Sequence, residues 1–424
     1  LRDRKNDTKD NCIDSDVLGR SPVMETTSNA LKISILVSDL SQAGAGRWGG
    51  AVRTFLLAQA LTNLGHEVEI LGFSFGEPPD TSESKYPIVC VPGVNYPGFF
   101  RSAQTLLKAI QGDILYALRP KPTSFGLALL KRMQRRCSVI LDIDDWELSW
   151  HGGDQWRYRP GLKQFGRDIL KPQGALRMPD HPLYLKWMEN QVSLADAVTV
   201  HTRFLQERFG GVYVPNGKDT TLFNPQNYNP EVSRELYGLS DYRVLMFPGA
   251  PRPYKGIEDV LLALDKLDQP DLRVVIIGGS PYDDYDRHLQ EKWGRWIIQI
   301  PKLPYEKMPE VVSAAHVVVV PQRNTPAALA QFPLKLTDAM AMSKPVLASN
   351  VGDLPEILGG TGYLVDPESP DQIANRIESI FKDLDLANEQ GQKSRKRCME
   401  NYNIEAMSKE LKTLIDNLRK HKTI

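Results

Sequence analysis

The sequence is poor in cysteine. Cys12, Cys90, Cys137 and Cys398 are widely spaced and form no CxxC pair or other zinc-like cluster. That argues against a cysteine-bound metal and fits reduced thiols in a cytosolic protein. Long apolar runs are missing too. None approaches the ~18 residues needed to cross a bilayer, and Leu1 to Ala30 lack the apolar centre of a signal peptide. Neither sign of charge is in excess, with 52 Lys and Arg against 52 Asp and Glu. This balance argues against a dedicated nucleic-acid partner. Residues 1–30 are polar and charged and read as a disordered tail. The chain starts at Leu1, and Met24, just before the first apolar run, is a candidate natural start.

From Leu31 short apolar runs alternate with amphipathic stretches. LKISILVS (Leu31 to Ser38), VEILGF (Val68 to Phe73), DILYA (Asp113 to Ala117), SVILDI (Ser138 to Ile143) and AVTVH (Ala197 to His201) read as buried strands. Ala51 to Leu64 has helical spacing, closed by Gly65. The alternation breaks at VPNGKDTTLFNP (Val214 to Pro225), where Pro-Asn-Gly signals a turn. It restarts with strands at Tyr242 to Phe247, Leu272 to Ile277, Trp296 to Ile300, His316 to Val320 and Pro345 to Ser349. Helices fit Ile257 to Leu267, Tyr305 to Ala314, Leu334 to Met342 and the stretch from Pro370 to Ile424. The fold class is therefore α/β, with two doubly wound parallel sheets. Such sheets bind ligands beyond the carboxyl ends of their strands.

Four segments in this order resemble the family-4 retaining glycosyltransferases of the GT-B fold. They are GGAVRTFLLAQALTNLGHEVEIL (Gly49 to Leu71), VPNGKDTTLF (Val214 to Phe223), FPGAPRPYKGIEDVLLAL (Phe247 to Leu264) and FPLKLTDAMAMSKPVLASNVGDLPEIL (Phe332 to Leu358). The resemblance implies two Rossmann-like domains facing a cleft: an acceptor domain at 31–215 and a donor domain at 216–403. It also implies that the final helix, 404–424, packs back on the first domain and that no metal or other cofactor is needed; two sheets joined through Asn216-Gly217 should in addition hinge, because the donor binds mostly one half and the acceptor the other. The partners it implies are a nucleotide sugar and a glycosyl acceptor. By analogy the setting is cytoplasmic polysaccharide biosynthesis, with room for peripheral contact at the inner membrane face.

Transfer from a nucleoside diphosphate builds negative charge on the leaving group, so fixed cations and N–H donors are needed there. Arg252 and Lys255 lie in a strand-to-helix turn that can aim both at a phosphate; where the family often has Arg after the loop's first glycine, this chain has Ala250. The amides of Leu334 and Lys335 open a helix suited to phosphate, and Gly49 and Gly50 let backbone approach the ligand. The family motif places two glutamates here, the second on the ribose and the first on the donor sugar. This chain has Asp338 at the second position and Ala330 at the first. Gln331 or Lys335 is a candidate replacement for the missing sugar contact. Asp144 or Asp145, at a strand end, is the candidate polar group near the anomeric carbon, with helix capping or a salt bridge as the structural alternative. Trp146, Trp150 and Trp156, with nearby cations, suit a sugar or lipid-linked acceptor, and packing of a large loop explains them equally well.

Rival readings stay in view. GAGRWG (Gly44 to Gly49) is a literal dinucleotide fingerprint, but it starts several residues after the strand. Asp142-Ile143-Asp144 imitates the DxD of metal-dependent glycosyltransferases. A GT-B epimerase, or a non-catalytic sugar-nucleotide scaffold lacking the first acid, completes the set.

Overall fold

The computed structural model describes residues 30–41, 50–81, 84–279 and 283–422. The expected tail before Ala30, the GAGRWG stretch and Gly49 lie outside the described residues. Among those described, the first sheet comprises β1 (Lys32–Val37), β2 (Glu67–Ser74), β3 (Ile88–Pro92), β4 (Ile114–Leu118), β5 (Ser138–Ile143), β6 (Ala197–Val200) and β7 (Val212–Tyr213). The second comprises β8 (Arg243–Pro248), β9 (Leu272–Ile277), β10 (Ile297–Ile300), β11 (Val317–Val320), β12 (Val346–Ser349) and β13 (Tyr363–Val365). All pairings are parallel, in the orders β3-β2-β1-β4-β5-β6-β7 and β10-β9-β8-β11-β12-β13. Helices cover both faces, and the inner strands β4 and β11 are accordingly apolar and fully buried along their whole length. Strand order reverses between β1 and β4, and between β8 and β11, which opens a crevice at each carboxyl edge.

Two expectations need local correction. The helix expected over Tyr305 to Ala314 begins as a 3-10 turn, Tyr305–Lys307, and becomes α-helical at Met308–Ser313. Pro309 sets that boundary, since it lacks an N–H and suits a first helical turn. The stretch from Pro370 is three helices, Pro370–Lys382, Leu384–Asn401 and Ile404–Lys422.

The last of these leaves the second sheet's core. Ile404, Met407, Leu411 and Ile415 pack in one cluster with Leu57 and Leu61 of the helix Gly50–Asn63, and Ser408 Oγ donates to Ala60 O at 3.2 Å. The chain thus crosses between the halves twice, and the crossings touch: Lys218 N donates to Tyr402 O at 2.7 Å, and Ile404 N to Lys218 O at 3.2 Å. Gly217 is needed for this approach as much as for a turn. A Cβ there would meet Asn403 O and Ile404 Cα at 2.9 Å.

Candidate active site

A cleft of about 490 Å³ lies between the two carboxyl edges. From the first half it is lined by Arg53, Arg119, Asp144, Asp145, Trp150 and His201. Arg53 is fully buried in the first turn of the helix Gly50–Asn63. Its Nε and Nη2 hold Asp142, at the end of β5, at 3.0 and 2.7 Å. Its Nη1 donates to Val214 O at 2.8 Å and Asn216 Oδ1 at 2.9 Å, which clamps the first crossing to the sheet. Arg119 follows β4 with a backbone φ of 66°, a conformation uncommon for a residue with a side chain. Its guanidinium donates to Asp144 and to Glu147, both at 2.6 Å. Burial pushes the Asp144 carboxyl up, but Arg119 more than offsets this and leaves it at about 2. Asp145 goes the other way. Burial drives it up to about 7, Glu147 and Asp144 add to the rise, and Arg119 opposes it. Its oxygens accept from Trp146 N at 2.8 Å and Trp150 Nε1 at 3.0 Å. His201, held neutral mainly by burial and then by Arg53, meets Ala330 O of the second half at 3.2 Å.

The second half presents a different wall. Gly256, at φ 69°, ends the loop after β8, and a Cβ there would lie 1.9 Å from Pro321 O, so the loop closes only on glycine. This directs Lys255 into the cleft, where its Nζ donates to Ala250 O at 2.9 Å. Burial, then Arg252, lowers the ammonium to about 8. Lys335, in the first turn of the helix Leu334–Ala341, sits 3.4 Å above the Phe247 ring. Burial, then Lys255, pushes it well below the usual lysine range. Neither lysine is in an ion pair among the described residues. Arg252 pairs with Asp283 at 2.6 Å. Asp338 is buried against Lys218, whose Nζ bonds Asp338 Oδ1 and lies 3.9 Å above the Phe223 ring. Gln331 Oε1 accepts from the Tyr254 hydroxyl at 3.1 Å, and Tyr254 meets Trp150 edge-on across the cleft at 5.6 Å.

The cleft therefore gathers Asp144, Asp145, Arg252, Lys255, Gln331, Leu334, Lys335, Asp338 and Trp150. Gly50 begins the helix whose Val52 and Arg53 reach the cleft. Trp146 and Trp156 do not line it. The Trp146 ring is buried with Arg208 stacked 3.8 Å above it, and Trp156 stacks on Tyr158 and meets His181 edge-on. Both are packing residues in the loop-rich segment, so of the three expected acceptor tryptophans only Trp150 reaches the cavity. Ala330, at the family's first acid position, is fully buried and packs in the first half's core cluster. Asp142 and Asp144 each face their own guanidinium rather than imitating a metal-binding pair. The sequence reading missed Arg119, His201 and Lys218. Arg119 carried one usable signal, its position directly after an inner strand.

Two family models match the chain: Glycosyltransferase Family 4 over residues 48–225 and Glycosyl transferases group 1 over residues 231–397. A GDP-mannose-dependent alpha-(1-6)-phosphatidylinositol monomannoside mannosyltransferase of Mycolicibacterium smegmatis is 28% identical over 241 residues, 53% of this chain. The match spans 63% of that relative's own length, under two thirds. Among solved structures, a glycosyltransferase from Rickettsia africae superposes with a TM-score of 0.69 at 18% identity, covering 92% of this chain and 99% of that one. HepE of Anabaena, solved in complex with UDP-glucose, superposes with a TM-score of 0.67 at 15% identity, covering 91% and 100%. At these identities the superpositions establish the fold, which is GT-B.

Proposed function

The chain belongs to the group 1 and family 4 glycosyltransferases, and from that premise we propose that it moves a sugar from a nucleoside-diphosphate sugar to a hydroxyl of a saccharide, lipid-linked or small-molecule acceptor, with retention of anomeric configuration. The observation that carries this reading is the pair Lys255 and Lys335, two half-buried lysines on one wall of the cleft that form no ion pair among the described residues. Unpaired buried charge is costly, and an anion carrying two charges removes the cost for both. The donor's diphosphate is such an anion, and its charge grows as the anomeric C–O bond breaks. The amides that open the helix Leu334–Ala341 add N–H donors on the same side.

Asp338 offers the ribose its second oxygen while Lys218 holds the first. Asp144 is committed to Arg119, so Asp145 is the carboxyl that orients the acceptor hydroxyl. The acceptor's proton passes to the leaving phosphate oxygen as the new glycosidic bond forms. The two ammonium groups provide the charge stabilisation at the diphosphate, and we propose that no metal is required. A second reading, a sugar-nucleotide binder without transfer, draws support from buried Ala330, where the family carries an acid.

Nucleotide release from GDP-mannose and UDP-glucose, the donors in the names of the relatives, tests the reading with chelator present. Release that depends on an added acceptor and drops with Lys255→Ala supports transfer. Tight nucleotide binding with no release across a panel of donors and acceptors favours the binder.

A further inference from the structure

The helix Leu162–Leu170 in the first half carries its apolar residues outward. Leu162 is 93% exposed, Leu170 78%, Phe165 46% and Ile169 44%. At the helical rotation per residue these four fall within an arc of about 140°. A helix laid on a core turns such an arc inward. Here the buried side chain is Asp168, which accepts from the Tyr158 hydroxyl at 2.7 Å and from Gln164 Nε2 at 3.0 Å. Lys163 and Arg167 stand four residues apart along the flank of the apolar arc, Lys171 follows just past the helix end, and none is in an ion pair among the described residues. From Arg157 to Met178 the sequence holds six Lys and Arg, and Asp168 is its one acid. This stands against a chain that is neutral as a whole.

We propose that this helix is a docking surface for an anionic lipid bilayer. The apolar arc enters the interface, and Lys163, Arg167 and Lys171 lay their stems along it and reach the headgroups. The charge pattern favours a bilayer over a protein groove, because the sole acid is turned away from the exposed face and the cations sit where lipid phosphates would lie. The segment follows Asp145 and Trp150 in the chain, so docking holds the acceptor side of the protein against the membrane. The inference stands apart from the sugar-transfer reading.

The test is sedimentation of the full chain with vesicles of phosphatidylcholine, alone or with about a third phosphatidylglycerol. The expected result is binding to the anionic vesicles that weakens as salt is raised. The L162D/L170D variant should lose about ten-fold or more of that binding, and K163E/K171E about five-fold for each cation reversed. Both should keep the wild-type melting temperature, because these side chains are exposed. Three results would overturn the proposal: no binding by the wild type, equal binding by L162D/L170D, or a concentration-dependent dimer that L162D/L170D abolishes, which would make the face a contact between copies of the chain.

Discussion

The two walls of the cleft handle buried charge in opposite ways. On the first-sheet side Arg53 and Arg119 have carboxylate partners, and the bonds of Arg53 tie the helix Gly50–Asn63, β5 and the crossing at Asn216 into one unit. On the second-sheet side Lys255 and Lys335 are half-buried, the one donating to a backbone carbonyl and the other lying over an aromatic face, and neither is in an ion pair among the described residues. On the proposed function, the difference separates charge that holds the protein together from charge that meets the donor's diphosphate. Substituting a cation should therefore have opposite consequences on the two sides.

The largest effect belongs to Arg53. Arg53→Met leaves Asp142 buried with Thr199 as its remaining side-chain partner, and should cost about 3–5 kcal/mol in denaturant unfolding. Restoring most of that loss with Asp142→Leu would confirm that the pair is structural. Lys255→Ala tests the other wall. Transfer should slow by about 10²-fold, near 2.7 kcal/mol, while the apo protein stays as stable as wild type or gains slightly. A large drop in melting temperature would erase the contrast.

Asp338 sits between these extremes, since it is paired and also lines the cleft. Asp338→Asn should weaken nucleotide binding by roughly 1.5–3 kcal/mol. Asp338→Glu should keep activity if the carboxylate contacts ribose. Asn binding like wild type while melting much earlier would reduce Asp338 to a partner for Lys218.

Much of this arrangement was legible in the sequence, and the reason is physical. Inner parallel strands such as Val317–Val320 are buried on both faces and stand out as apolar runs. The edge strands β3 and β13 are half-buried and short, and Val212–Tyr213 is only two residues, so they leave no such trace. The position of Lys255 in the cleft was readable because the adjacent loop, closed by Gly256, sets it. The partnerships Arg53–Asp142, Lys218–Asp338 and His201–Ala330 join residues 89, 120 and 129 positions apart, and no local pattern announces them. Trp146 and Trp150 looked alike in sequence. Only the turn after β5 decides that one ring enters the core and the other the cleft.

The smallest expected effect separates those aromatic residues. Trp150→Phe should raise the acceptor KM several-fold through loss of its bond to Asp145, on the scale of about 1 kcal/mol. Trp156→Phe, outside the cleft, should leave acceptor and donor kinetics unchanged.

The central claim is that the second-sheet cations await an anion. Burial, then Arg252, disfavours the charged form of Lys255 and lowers its ammonium to about 8. A bound diphosphate favours that form and raises the value again. Above about pH 8 the free protein has lost this proton and must regain it on binding. Calorimetric titration with UDP or GDP, half a unit above that value in buffers of different ionisation enthalpy, measures the exchange directly. The account predicts proton uptake on nucleotide binding that Lys255→Ala reduces by a large fraction of a proton, the remainder belonging to Lys335, with affinity falling as pH rises further. Binding with no proton uptake, or with uptake that Lys255→Ala leaves unchanged, would contradict it.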